Sequence, residues 1–262
     1  MIQKFLFYFF SGFVVLTILT TTTKSHARKG AKGNSLPISS GIVFSSPSDA
    51  TFLNPAGLVD GSLENLRGFW RGDNEDAMIH LNGSSSSLGW GLGYVGPTNE
   101  THFVEGGLGF NLNKIKLGLG LESNNFEGLD GNIGLNMDLS KVRLAFVGRG
   151  LSGQLDRLDF GLGFYGTKYR FEIDVKKPSP FLNTADFFDL LLFDIGLAVM
   201  ADPLTIGFGT DTSLANGTLG DFNFHAGFDF MLGRRFSIQA HYRPWSGERG
   251  GDEWVAGARL VF

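Results

Sequence analysis

The chain of 262 residues contains no cysteine, only 8 prolines and no excess of basic residues. Without cysteine it can form neither a disulfide nor a thiolate-ligated zinc or iron–sulfur site, and it has no thiol nucleophile. The 22 Lys and Arg residues against 26 Asp and Glu residues give a net charge of −4, so the composition offers no basic surface for a nucleic-acid partner. The lack of cysteine is compatible with transit through an oxidising compartment.

Glycine and phenylalanine are abundant instead, with 38 Gly, 26 Phe and 13% aromatic residues. Glycine usage is roughly twice its average in proteins, which is about 7%. Disordered glycine-rich chains have few aromatic residues, so this composition excludes disorder. The mean hydropathy is nevertheless only +0.04.

Residues 1–27 have the pattern of a secretory signal peptide. Lys4 precedes an apolar run over residues 5–20, and Ser25 and Ala27 supply small residues at the −3 and −1 positions of a cleavage site. The alternative is an N-terminal membrane anchor, but the run is shorter than the roughly 20 residues that a spanning helix needs. The pattern therefore predicts export from the cytoplasm.

The rest of the chain alternates between apolar and polar residues with a period of two. Ile115, Leu117 and Leu119 are separated by Lys116 and Gly118. Since successive side chains point to opposite faces of a strand, such a segment has one apolar face and one polar or bare face. The alternation recurs within residues 88–94, 132–139, 157–164, 169–176 and 222–231.

The length of these segments favours a membrane protein. Strands of soluble sandwiches also alternate, but they usually have about five or six residues. A tilted strand needs roughly nine to eleven residues to cross a bilayer. The sequence therefore predicts an all-β fold, an antiparallel transmembrane β-barrel whose apolar face points to lipid. We expect about fourteen strands, with twelve as the alternative because Arg67 and Arg71 crowd the first hairpin.

Connections of two kinds follow each other along the predicted barrel. Tight turns alternate with longer polar links, which are predicted at residues 124–128, 150–154, 177–188, 212–219 and 244–252. Bacterial outer-membrane barrels have short periplasmic turns and longer outer loops, so we expect both termini in the periplasm. The last alternating segment ends at Phe262, and it resembles the signal that the barrel-assembly machinery recognises.

Residues 28–62 show no long alternation and precede the barrel. They contain Asn54, Pro55 and Ala56 within the segment Asp49–Leu58. Taken alone, an Asn-Pro pair marks a turn in a flexible leader. The segment also resembles the N-terminal hatch of FadL-type transporters, which carry long-chain fatty acids and other hydrophobic compounds across the outer membrane. In that family an N-terminal segment plugs a fourteen-stranded barrel.

Besides the signal peptide that the pattern predicts at 1–27, the resemblance implies a plug at 28–62 that precedes a barrel at 63–262. It also implies transport of small hydrophobic molecules between the lipopolysaccharide side and the lipid bilayer. The alternative is a non-transporting barrel that serves as a structural or secretion-system scaffold, which the short outer loops favour. One outer link is apolar enough to capture a ligand, through Phe181, Leu182, Phe187 and Phe188.

Glycines on the inner face of the third strand are candidates for a lateral opening. The strand carries Gly89, Gly91 and Gly93 and ends at Gly96 and Pro97. Glycine and proline can interrupt a strand ladder. In the FadL-type family the opening lies at a kink in the third strand, so the resemblance implies an opening here. Alternatively, these glycines only make room for the plug.

Charged residues on the predicted inner wall include Arg143, Arg149, Arg170, Asp159, Asp194 and Asp229. An arginine can bind the carboxylate of a ligand. A narrow lumen cannot hold many uncompensated charges, however, so we expect most of these side chains to pair with each other. The sequence contains no nucleophile motif and no metal-ligand spacing, which predicts a protein that is not an enzyme and binds no cofactor.

Overall fold

The computed structural model describes residues 41–45, 50–51, 53–60, 65–71, 76–98, 101–152, 155–178, 190–243 and 253–262. The predicted signal peptide lies outside these residues. Within the described part of the chain, no helix has the length and hydropathy needed to cross a membrane.

The described residues form β-strands and one short 3-10 helix, η1 (Pro55–Val59). The strands are β1 (Asn65–Arg71), β2 (Asp76–Ser84), β3 (Leu88–Thr98), β4 (Thr101–Leu112), β5 (Ile115–Asn124), β6 (Glu127–Leu139), β7 (Val142–Arg149), β8 (Arg157–Tyr165), β9 (Tyr169–Pro178), β10 (Leu190–Ala201), β11 (Leu204–Ala215), β12 (Thr218–Leu219), β13 (Asn223–Met231), β14 (Phe236–Arg243) and β15 (Glu253–Val261).

Fourteen of these strands form a closed antiparallel barrel. Each barrel strand pairs with its neighbours in the chain, and β1 closes the ring by pairing with β15. The two-residue strand β12 turns back and pairs antiparallel with the end of β11, while the rest of β11 pairs with β13. The predicted fourteen-stranded barrel is therefore confirmed. The first hairpin forms despite its arginines because Arg67 points inward, where it is buried.

The two faces of the wall separate apolar from polar residues, as predicted. In β5, Leu117 and Leu119 are 39% and 53% exposed on the outside, whereas Lys116 between them is 8% exposed and points inward. Closure of the ring pairs the backbone groups of adjacent strands, which is a requirement for any sheet that crosses lipid. The apolar outer surface is thus the lipid-facing surface.

The strands extend further than the alternation indicates at one end of the barrel. The predicted link at 124–128 is too long. β5 ends at Asn124 and β6 begins at Glu127, so only Asn125 and Phe126 connect the two strands. Both residues have positive φ, 49° and 58°, as a tight two-residue hairpin requires. Backbone pairing does not depend on side-chain polarity, so the ladder continues where the apolar alternation has stopped.

A charged side chain on the lipid-facing side of the barrel is expected to destabilise it more, the closer that side chain lies to the middle of the membrane. Leu119→Arg places a cation at mid-strand and is expected to lower the free energy of unfolding in lipid vesicles by about 2–4 kcal/mol. The control Leu112→Arg lies at the end of β4 beside the turn, where the cost is about 0–1 kcal/mol. Urea titration measures both, and equal losses would contradict the assigned membrane depth.

Candidate functional site

A stretch of chain that precedes the barrel lies against the inner wall. We call residues 41–45, 50–51 and 53–60 the inner segment. Its residues are buried up to Val59, with Asn54, Ala56 and Leu58 each 0% exposed, whereas Asp60 at its end is exposed. Asn54 has extended backbone angles and caps η1, accepting a hydrogen bond from the Ala56 N–H at 3.0 Å, and Pro55 follows as the first helical residue. Asn and Pro are favoured at these two positions, so the Asn-Pro-Ala sequence itself determines this turn.

Two rows of inward-facing glycines on β3–β6 form a surface that we call the glycine seat. Neighbouring members of each row are paired across adjacent strands. Because glycine has no side chain, nothing projects from the wall into the lumen along these two rows. The first row consists of Gly89, Gly109, Gly118 and Gly134, and the second of Gly91, Gly107 and Gly120.

Helix η1 fills the space that the glycine seat leaves. A Cβ atom on Gly118 would collide with the backbone of Pro55 and Ala56, and one on Gly89 would collide with the backbone of Leu58. Backbone atoms cannot rotate away as a side chain can, so no larger residue fits without a shift of η1. The geometry thus gives Gly89 and its neighbours the role of making room for the inner segment.

Asn54 joins two parts of the inner segment to the wall. Its amide Nδ2 donates to the Ile42 carbonyl at 2.9 Å and to Oδ1 of Asn136 on β6 at 2.7 Å. Together with the bond from Ala56, the side chain uses its oxygen and its amide group. Because a buried amide is costly to leave unpaired, this network holds the segment in one position.

A second contact surface holds residues 42–44. The backbone N–H of Ile42 donates to Oδ2 of Asp174 at 2.7 Å, and that of Phe44 donates to Oε2 of Glu172 at 3.1 Å. Both acceptors lie on the inner face of β9. Ile42, Val43 and Phe44 also form an apolar cluster with two residues of β7, Ala145 and Val147.

Charged side chains secure the end of η1. Asp60 follows the helix and pairs with Lys116 and Arg143, each at 2.5 Å. The same two cations also contact Asp138 on β6, at 2.7 and 2.6 Å. We call Lys116 and Arg143 the basic pair. Two acids and two bases therefore share one network, one acid coming from the inner segment.

Four of the other predicted wall charges, Arg149, Asp159, Asp194 and Asp229, lie in ion pairs within the described residues. Arg149 and Arg157 both contact Asp159, at 3.0 and 2.8 Å. Lys176 lies 3.2 Å from Asp194, and Arg259 lies 3.1 Å from Asp229. Arg149 also donates to the Leu53 carbonyl of the inner segment, and the Arg170 guanidinium lies 5.8 Å from the Phe44 ring centre.

A second buried apolar group joins the inner segment to the wall. Leu53, Phe69, Met78 and Val255 form a buried cluster against which Val95 packs, and we call these five residues the apolar lumen patch. They come from the inner segment and from β1, β2, β3 and β15. Together with the cluster on β7, this patch makes part of the inner wall apolar.

The ladder between β3 and β4 is irregular next to this patch. Val95 pairs with Phe103 and Thr98 pairs with Thr101, so that Gly96 and Pro97 together oppose His102. Such a two-to-one arrangement is a β-bulge, and Pro97 has no backbone N–H to donate. The hydroxyl of Tyr94 lies 2.8 Å from Nδ1 of His102 beside the bulge.

The structure places some of the predicted site residues and leaves others outside its described part. Gly89 and Gly91 contact the inner segment, while Gly96 and Pro97 form the bulge. The predicted ligand-capture residues Phe181, Leu182, Phe187 and Phe188 lie outside the described residues. Phe262 follows β15 and is 56% exposed.

Sequence reasoning missed Asp60, Asn136 and the register of the glycine rows. The sequence does contain a signal for the glycine seat, because glycines repeat every two residues in three consecutive predicted strands.

Comparison with known proteins rests on structure alone. No protein-family profile and no curated protein sequence matches the chain. The solved structure of the CymD monoaromatic hydrocarbon channel is similar, with a TM-score of 0.63, 11% identity and coverage of 89% of this chain and 99% of that one. The outer membrane protein Omp33 of Acinetobacter baumannii has a TM-score of 0.56 at 8% identity, covering 77% and 98%.

These similarities decide the fold. The chain has the fold of bacterial outer-membrane β-barrels. At identities of 11% and 8%, these similarities show the fold and not the substrate.

A methyl group in the glycine seat is expected to displace η1. Gly118→Ala forces the backbone of Pro55 and Ala56 to move and is expected to cost about 1–3 kcal/mol, the usual range for overpacking. Hydrogen exchange at the Ala56 amide, protected by Asn54, is expected to accelerate. The matched control is Gly68→Ala, because a Cβ atom there meets nothing within 4 Å. Equal protection in both variants would show that the seat does not hold η1.

Proposed function

We propose that this barrel conducts small hydrophobic molecules, such as long-chain fatty acids or aromatic hydrocarbons, across the bacterial outer membrane. The observation that carries the proposal is the position of the apolar lumen patch, whose member Val95 lies directly before the bulge at Gly96 and Pro97. An apolar surface inside the barrel thus adjoins an interruption in the wall. The short turns then face the periplasm, as do both termini.

The route follows from where an apolar solute is most stable. A hydrophobic molecule in the lumen gains about 25 cal/mol for each Å² of apolar surface removed from water, and it gains this against the patch or in the lipid chains. A lateral exit between β3 and β4 allows the molecule to pass from the apolar lumen patch into the lipid chains without re-entering water. The Tyr94–His102 contact borders this exit.

The similar CymD structure supports the choice of an aromatic probe, since that protein is described as a monoaromatic hydrocarbon channel. The fold supports a transport barrel in general, and the substrate remains part of the proposal.

A scaffold without transport is the second candidate. The observation that favours it is the close packing of the inner segment against β3–β6, in which backbone contacts backbone. A plug held this firmly would suit a barrel whose role is to bind another protein. The two functions differ in one measurable property, the entry of a hydrophobic solute.

Uptake of radiolabelled toluene by cells that express the protein, compared with cells carrying an empty vector, tests the proposal. We expect faster uptake with the wild-type barrel, and loss of the gain when Pro97 is deleted, since the deletion restores regular pairing between β3 and β4. The matched control deletes Gly128, which removes the irregularity between β5 and β6 at the same end of the barrel.

The outcomes separate the two parts of the proposal. Uptake equal to that of the empty vector would contradict transport and favour the scaffold. Wild-type uptake in the Pro97 deletion would contradict the lateral route and leave transport in place. Migration on unheated gels confirms that each variant forms a barrel.

A further inference from the structure

Positive and negative charges separate to opposite ends of the barrel. Six short hairpin connections lie at one end, at residues 85–87, 113–114, 140–141, 166–168, 202–203 and 232–235. They contain one acid, Asp202, and five cations that we call the cationic rim, namely Lys114, Lys141, Lys168, Arg234 and Arg235. Nine Asp and Glu residues and one Arg belong to the connections at the other end, residues 72–75, 99–100, 125–126, 150–156, 179–189, 216–222 and 244–252.

The cations of the rim have no protein partner within the described part of the chain. All five residues are exposed, and none of their side chains forms an ion pair or a hydrogen bond with another described residue. The lumen cations differ, since Lys116, Arg149 and Lys176 each contact a carboxylate. The rim charges are therefore available to a partner outside the chain.

Each cation of the rim borders the lipid-facing surface. Lys114 lies between Leu112 and Ile115, which are 60% and 41% exposed. Tyr169 follows Lys168 and is half exposed. The other three cations also have exposed apolar neighbours, namely Leu139 before Lys141, and Leu232 and Phe236 on either side of Arg234 and Arg235. At such a border a long basic side chain lays its methylene groups on apolar surface and extends its charge into the headgroup layer, where tyrosine is also favoured.

The rim cations surround the barrel instead of forming one patch. Lys114, Lys141 and Lys168 lie on successive hairpins, and the two arginines lie on the connection between β13 and β14. Because neighbouring strands are about 4.8 Å apart, successive hairpins follow each other at intervals of about 10 Å around the ring. A protein partner would contact one side of such a ring, whereas the headgroups of a membrane encircle it.

We infer that the cationic rim binds the phosphate groups of anionic phospholipids in the leaflet around the short turns. Short turns of outer-membrane barrels face the periplasm, and the leaflet on that side consists of phospholipids and not of lipopolysaccharide. The acidic connections at the opposite end repel phosphate groups, so the attraction is confined to one end and sets the depth of the barrel in the membrane. The inference rests on the orientation of the barrel and not on transport.

Native mass spectrometry of the purified barrel in zwitterionic detergent tests the inference, with phosphatidylglycerol and phosphatidylcholine as the probes. We expect the wild-type protein to bind phosphatidylglycerol about tenfold more tightly, because basic residues near the membrane surface attract anionic lipids. A variant that combines five substitutions is expected to bind both lipids equally, namely Lys114→Gln, Lys141→Gln, Lys168→Gln, Arg234→Gln and Arg235→Gln.

A charge-preserving variant is the matched control. Combining Lys114→Arg, Lys141→Arg and Lys168→Arg changes the same turns without changing their charge, and it is expected to keep the preference for phosphatidylglycerol. Migration on unheated gels shows that each variant forms a barrel. An undiminished preference in the glutamine variant would overturn the inference, as would tighter binding of lipopolysaccharide than of phosphatidylglycerol by the wild-type protein.

Cysteine labelling in intact cells tests the leaflet. Because the chain has no cysteine, Lys141→Cys and Thr218→Cys each introduce a single thiol, one on the rim and one at an exposed position of the opposite end. A maleimide too large to cross the outer membrane is expected to label Thr218→Cys only. The reverse pattern would place the rim against lipopolysaccharide and overturn the inference. These readouts do not involve toluene uptake, so either proposal can fail alone.

Discussion

Lipid offers the backbone no hydrogen-bond partner, and most features of this protein follow from that constraint. Each barrel strand must pair on both sides, so β1 must meet β15 and close the sheet. Closure gives every strand one face in lipid and one in the lumen, which imposes the period of two. It also confines the interior, where each side chain competes for space with those of the opposite wall.

The inner segment fits into that confined space through close packing as well as through charged and hydrogen-bonded contacts. Where η1 crosses β3–β6, the wall has glycine, and the helix backbone approaches it directly. Where residues 42–44 cross β9, two wall carboxylates accept their N–H groups. Buried backbone groups must be paired, so these bonds position the segment as firmly as its apolar contacts do.

Strand positions could be predicted from the sequence because lipid enforces a strict alternation. Leu117 and Leu119 against Lys116 in β5 show the pattern, and the first hairpin follows it once Arg67 is assigned to the lumen. The ends of β5, β6 and β11 could not be predicted, since outside the membrane pairing no longer depends on side-chain polarity. Of the candidate site, the Asn-Pro-Ala turn could be predicted because a local cap determines it.

The sequence by itself determined the fourteen-stranded barrel, its lipid-facing surface and the capped turn, because each depends on neighbours within a few residues. Only the tertiary structure decided which glycines seat η1, that Asp60 meets Lys116 and Arg143, and that Val95 lies beside both the apolar lumen patch and the bulge. These contacts join residues far apart in the chain. Their partners are set by barrel register and shear, which a single strand does not encode.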